Sequence, residues 1–275
     1  MGAMAGTLMC RPSASDTEAV GAAVARRRLS GIGIQLYAVR KVLATDFEGT
    51  LAQLAGIGYK KVEFAGYYNR TPTAIRAILD KNGLTSPSAH IDLNSLRTQL
   101  GAVADAARIM GHEYVTMPWL EESARGKTPD DWKRLAQELN EIADRLKARN
   151  LKFAYHNHDF ELRPVGAQIP LDVLLANTQP DLVKFQLDLY WAVNAGHDPR
   201  AYVQRYPGRF TMLHIKDSAG APKHDQTDVG RGTIDFASVL RADADVEHVF
   251  VEHDDPPNPI EFARNSFAYL EKLEF

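Results

Sequence analysis

The sequence predicts an α/β fold, a single (β/α)8 TIM barrel, and three observations carry that expectation. From Ile32 to the C-terminus, short apolar runs alternate with amphipathic helical stretches, the pattern of a parallel sheet. Eight such units fit into about 245 residues with no linker long enough to divide them, which favours a closed barrel over an open sheet. Four runs in the second half end on ligand-type side chains: Phe153 to Tyr155 leading into His156, His158 and Glu161, Val183 to Asp188, Phe210 to His214, and His248 to Glu252. A barrel brings the ends of its strands to one mouth, and Asp, Glu and His are the oxygen and nitrogen donors that divalent metals take.

Taken in order, Ile32 to Tyr37 is the first strand, and Asp46 caps a helix through about Gly58. Lys61 to Ala65 is the second strand, followed by a helix from about Thr71 to Asn82. Leu84 to Ile91 is the third strand, and a long amphipathic helix runs from Ser95 to Met110, closed by Gly111. Tyr114 to Met117 is the fourth, stopped by Pro118. Thr128 as N-cap and Pro129 in the first turn open a helix through about Arg149, with Leu135, Leu139, Ile142 and Leu146 spaced for one buried face. A helix near Leu171 to Ala176 follows the fifth strand. Pro199 opens another after the sixth, Phe236 to Leu240 forms a short one after the seventh, and Pro259 to Leu273 closes the chain. A doubly wound sheet would want a Gly-rich first turn. Here that turn is Gln35 to Arg40 and holds no glycine, and the chain shows neither a phosphate loop nor a nucleophile elbow.

The 275 residues carry 45% hydrophobic and 24% charged side chains, an ordinary globular balance. Net charge is −3, from 32 basic and 35 acidic residues, which argues against nucleic acid or a membrane surface as partner. Cys10 is the single cysteine, so neither an intrachain disulfide framework nor a Cys-based zinc site is available. Residues 1–30 read as a flexible N-terminal extension preceding one barrel domain, 31–275. Arg26-Arg27-Arg28 resembles a twin-arginine export signal, but no apolar stretch follows it. The expected location is cytoplasmic, or periplasmic if those residues are a trimmed export segment.

Gly33 to Arg40, Tyr155-His-Asn-His-Asp-Phe-Glu161, Gln186-Leu-Asp-Leu-Tyr-Trp191 with Ala195-Gly196, and His214-Ile-Lys-Asp217 followed by Val229-Gly-Arg-Gly232 together resemble the sugar phosphate isomerase/epimerase family, whose members share the xylose-isomerase-like barrel. The resemblance spans residue 32 to the C-terminus. It implies one divalent metal (Mn, Zn, Co, Fe or Mg) held by Glu, Asp, His and Glu at the ends of strands five to eight. Asp188, His214 and Glu252 match the last three. The first position departs: His156 stands where many relatives have glutamate, so His156 is the expected fourth ligand, with Glu161 as the alternative. The resemblance further implies proton abstraction next to a metal-polarised carbonyl or hydroxyl pair, with an enediolate intermediate. His156, Glu252 and His158 are the candidate proton-handling groups, and an imidazole suits proton transfer near neutrality. Return of the proton to the other face gives epimerisation, the main expectation. Loss of a leaving group from the next carbon gives a lyase or dehydratase, the alternative.

Glu63, His90, Glu161, Lys216 and Arg231 are candidate substrate contacts. Each has a plainer reading: Glu63 could pair with Lys60 or Lys61, Arg231 could be a turn residue, and Asp188 could cap a helix. Trp119 and Trp191 follow strand ends and could wall a sugar face or simply pack. Lys216, Lys223 and Arg231 alternate with Asp217, Asp225 and Asp228, so a phosphate site is not supported and a neutral sugar or glycoside derivative is expected. A nuclease on the same barrel would need ligands for several metals and a basic surface. A non-catalytic sugar-binding relative is the remaining alternative. The family often dimerises, so a homodimer is a further expectation.

Overall fold

The computed structural model describes residues 1–2, 26–242 and 245–275. Eight parallel strands close into a barrel: Gly33–Gln35, Lys61–Phe64, Thr85–His90, Tyr114–Met117, Lys152–His156, Val183–Asp188, Phe210–Ile215 and His248–Val251. Each pairs with the next in chain order, and the first pairs with the last. Helices follow the strands as read from the caps. Asp46 accepts from Gly49 N at the start of Phe47–Ile57. Thr128 and Asp131 form a capping box at the start of Pro129–Lys147.

Three expectations shift. The helix expected from Ser95 to Met110 is two, Leu93–Thr98 and Leu100–Met110, because Asp92 caps the first and Gln99 leaves helical geometry between them at φ −132°. A short helix, Leu189–Asn194, follows the sixth strand directly, since Asp188 caps it through Trp191 N. Asp217–Ser218 pairs with Gln226–Thr227 in a small antiparallel ribbon over the mouth side of the seventh strand. Asp217 is structural: its carboxylate accepts from the backbone N–H groups of Ser218, Gly230, Gly232 and Ile234. A Cβ at Gly232 would collide with that carboxylate. Of the N-terminal extension, residues 3–25 lie outside the described residues. Arg26 to Ser30 do not trail free: Arg27 and Phe275 exchange backbone hydrogen bonds of 2.7 and 3.0 Å, and Arg26 and Arg28 pair with Glu274. The arginine run therefore docks on the chain end. Among the described residues no helix is long and apolar enough to cross a membrane.

Strand periodicity then sets the site. Tyr114, Ala154, Met212 and Phe250 form a buried cluster of their own, separate from the larger core between barrel and helices. Alternate residues of a strand share a face, so two positions further on the same face carries Thr116, His156, His214 and Glu252. An apolar layer thus floors a polar one at the C-terminal mouth, where barrel enzymes keep their chemistry.

Candidate metal centre and its cavity

His156, Asp188, His214 and Glu252 converge there, each offering a donor atom within 4.8 Å of the others'. Register explains the meeting: Asp188 lies beside His214 across the sixth and seventh strands, and Phe250, two before Glu252, lies beside His214 on the other side. All four residues are buried. Asp188 divides its carboxylate: Oδ1 accepts from Trp191 N at 2.9 Å, while the buried Oδ2 makes no hydrogen bond and stands 3.3 Å from Lys216 Nζ. The cap reading and the ligand reading therefore apply to different oxygens of one group. His156 Nδ1 is buried and has no hydrogen-bond partner. Unpaired buried polar atoms cost about 1–3 kcal/mol each. That free nitrogen, with Asp188, His214 and Glu252 beside it, forms a donor set that suits a divalent cation.

Glu63 organises the inner side of the cluster. It is fully buried and accepts from Gln35 Nε2 and Gln186 Nε2, each at 2.8 Å, with His214 Nε2 at 2.7 Å and His90 Nε2 at 3.3 Å. Burial works against its charge, but His90 and His214 hold its carboxyl well below the usual range. It does not pair with Lys60 or Lys61; Lys61 Nζ stands 3.0 Å from His248 Nδ1 instead. His214 Nδ1 faces Glu252 Oε2 at 2.9 Å, so both ring nitrogens point at carboxylates. Although burial opposes it, Glu252 and Glu63 raise the His214 pKa to about 10. Burial and its histidine neighbours push His156 well down, which leaves it neutral, the form that ligates. Burial raises Asp188 to about 6 against the pull of Lys216.

Lys216 is fully buried, with its ammonium 3.3 Å from Asp188, 3.0 Å from Glu252 and 2.7 Å from Asp254. Despite the burial penalty, those carboxylates raise its pKa, so it stays a cation. It holds acidic groups of the cluster and does not line the cavity. His90 does line it. Gln186 donates its amide to Glu63 and turns Oε1 to His90 Nε2 at 2.9 Å, which leaves His90 Nδ1 as an acceptor. His158 also lines the cavity, between Trp119 at 4.6 Å and Trp191 at 5.5 Å, ring centre to ring centre. Burial first, then Lys216, lowers its pKa to about 3.

Of the expected substrate contacts, Glu63 and Lys216 are buried among the cluster's own side chains and do not line the cavity, and two further expectations are corrected. Glu161 faces away from the cavity: it accepts from Tyr155 Oη at 2.7 Å and from His158 N at 2.8 Å, and burial raises it to about 7. It is neither in the four-residue donor set nor in the cavity lining, and it braces the loop that presents His158. Loop geometry decides this, since the short 3-10 turn at Phe160–Leu162 folds the carboxylate back onto the strand. Arg231 is also outside the cavity, 66% exposed beside Asp228. Conversely, the sequence reading passed over Gln35, Gln186 and Asp254. Gln186 carries a signal, lying two residues before Asp188 on the same strand face.

His90, His156 and His214 form a second grouping that shares two residues with the first, and a third, Glu113, Glu247 and His248, lies at the opposite end of the strands. Lysines already serve it: Lys152 donates to Glu247 at 2.7 Å, and Lys61 abuts His248.

The comparisons agree with this architecture. A family model described as a xylose isomerase-like TIM barrel matches residues 51–273. An inosose dehydratase of Lacticaseibacillus casei is 27% identical over 267 residues, covering 82% of this chain and 89% of that protein. A sugar phosphate isomerase/epimerase structure from Parabacteroides distasonis superposes with a TM-score of 0.75 at 25% identity, covering 93% of this chain and 97% of that one. The IOLI protein, solved with a bound zinc atom, superposes with a TM-score of 0.68 at 15% identity, over 86% of this chain and 95% of its own.

Proposed function

Because the chain belongs to the xylose isomerase-like TIM-barrel family, we propose that it is a divalent-metal-dependent dehydratase acting on a non-phosphorylated keto-polyol or keto-sugar. The observation that carries this is the convergence of His156, Asp188, His214 and Glu252, with the buried His156 Nδ1 left without a hydrogen-bond partner among them. The similarity to inosose dehydratases supports elimination over isomerisation as the outcome. When bound, a divalent cation on those four residues would supply Lewis-acid polarisation of a substrate carbonyl.

The chain's own residues supply the rest. His158, at the cavity with its Nδ1 free of any hydrogen-bond partner, takes the proton from the carbon beside the carbonyl. The same imidazolium then gives that proton to the hydroxyl leaving the next carbon. The C–H and C–O bonds break, a C=C bond forms, and water departs with no net proton consumed. His90 Nδ1 accepts from a substrate hydroxyl, while Lys216 keeps Glu252 ionised and in place. The test measures metal content and dehydration of an inosose, read as the absorbance of the conjugated product, for wild type and the His156→Ala, Asp188→Ala and His158→Ala variants. About one equivalent of metal with turnover is expected in wild type. His156→Ala and Asp188→Ala should lose metal and turnover together, and His158→Ala should lose turnover alone. Absence of metal in wild type after reconstitution refutes the reading.

Epimerisation is the second reading, favoured by the presence of both His158 and Glu252 at the cavity. Solvent deuterium entering the substrate without loss of water would establish it.

A further inference from the structure

The cavity at the barrel mouth encloses about 910 Å³, near the top of the range of about 300–1,000 Å³ that holds a drug-sized ligand. One polyol ring lying against His156 and Glu252 leaves much of that space unfilled. Part of the remaining wall is apolar. On the helix Leu100–Met110, Leu100, Ala104, Ala107 and Met110 face the core, while Ala102, Val103 and Ala106 line the cavity. Trp119 lines it too and stays 40% exposed, one of few large apolar side chains so exposed among the described residues. Its position is fixed by His158, by Phe160 at 5.3 Å and by Arg125 stacked 4.6 Å from the ring centre. Leaving a fixed indole and a helix face open beside a polar cluster forgoes the gain of burying them, roughly 25 cal/mol per Å². A ligand that covers them recovers it. The ligand is not anionic: among the described residues no Lys or Arg lines the cavity, whereas Asp92, Glu252 and Asp254 do.

We propose that the substrate carries an uncharged planar apolar group, an aryl aglycone, on its polyol ring. It sits between Trp119 and the Ala102–Val103–Ala106 face while the ring oxygens meet His156 and Glu252. This rests on the dehydratase reading only for where the ring lies.

Calorimetric titration of the full chain with phenyl β-D-glucopyranoside and methyl β-D-glucopyranoside, metal-loaded and metal-free, tests it. The phenyl compound should bind about tenfold tighter or more, the scale expected for burying one aromatic ring. Ala106→Trp, which fills the wall, should bring that ratio towards one. Trp119→Ala should lower it and Trp119→Phe keep most of it, so the test survives if Ala106→Trp fails to fold. Equal affinities in wild type, or no heat from the phenyl compound at millimolar concentration, overturn the proposal. So does a Trp119→Ala variant that keeps the ratio but changes oligomeric state in sedimentation, which would assign the wall to a second copy of the chain. The two readings fail separately. Inosose dehydration with a ratio of one removes the aryl subsite alone, and a preserved ratio without dehydration removes the dehydratase alone.

Discussion

Glu161 offers a sharp test of the site's electrostatics, because its carboxyl is buried with two hydrogen bonds and no ion-pair partner among the described residues. Burial raises it from the ordinary 4.5 to about 7. A carboxyl whose folded pKa lies above its unfolded value favours the fold while protonated. That contribution is fully present below the unfolded pKa and is lost as pH rises through the folded one. The loss between pH 4.5 and about 7 amounts to roughly 3 kcal/mol. Glu161→Gln removes the titration and keeps the contacts: its amide donates to Tyr155 Oη and its carbonyl accepts from His158 N. Urea unfolding of metal-free protein at pH 5, 6, 7 and 8, wild type against Glu161→Gln, reads the difference. The variant should match or trail wild type at pH 5 and exceed it by about 2–3 kcal/mol at pH 8. Asp188 and the histidines titrate in both proteins, so the difference isolates Glu161. Parallel stability curves, or a variant weaker at pH 8 than at pH 5 relative to wild type, would refute the burial argument.

Three further outcomes are expected. Glu63→Gln leaves His214 Nε2 without its anionic partner, so zinc affinity measured by competition with a chromophoric chelator should fall about 10–100-fold while the fold persists by circular dichroism. His214 carries hydrogen on both nitrogens when both face carboxylates, so zinc binding at pH 8 should release about one proton from it, seen as a dependence of calorimetric heat on buffer ionisation enthalpy. Asp217→Ala strands four backbone N–H groups and should cost about 3 kcal/mol or more in urea unfolding, with Asp217→Asn recovering part of it.

Much of this protein is legible locally. Apolar runs of four to six residues, proline and Thr or Asp caps, and helical periodicity state the barrel's elements one by one, because each depends on neighbours within a turn or a strand. The ligand-bearing strand ends share that origin: Asp188, His214 and Glu252 follow their apolar runs directly, and a parallel barrel allows those ends only one mouth. Where a local signal is ambiguous, the reading drifts. The break at Gln99 inside an otherwise continuous helical pattern is one case, and the helix that Asp188 caps immediately after its strand is another.

Tertiary structure decided the rest. His156 and Glu161 are both plausible donors in sequence, and only the 3-10 turn that folds Glu161 onto Tyr155 Oη separates them. Glu63 could have met a neighbouring lysine. The closure of the barrel instead brings it against His214, 151 residues away, and Gln186, 123 away. The apolar wall at Ala102, Val103 and Ala106 likewise reads in sequence as ordinary helix, because whether a small side chain meets the core or a cavity depends on what packs opposite it. Composition and periodicity record which face of an element is apolar; distances between elements far apart in the chain are set only when the sheet closes, and the chemistry of this site rests on those distances.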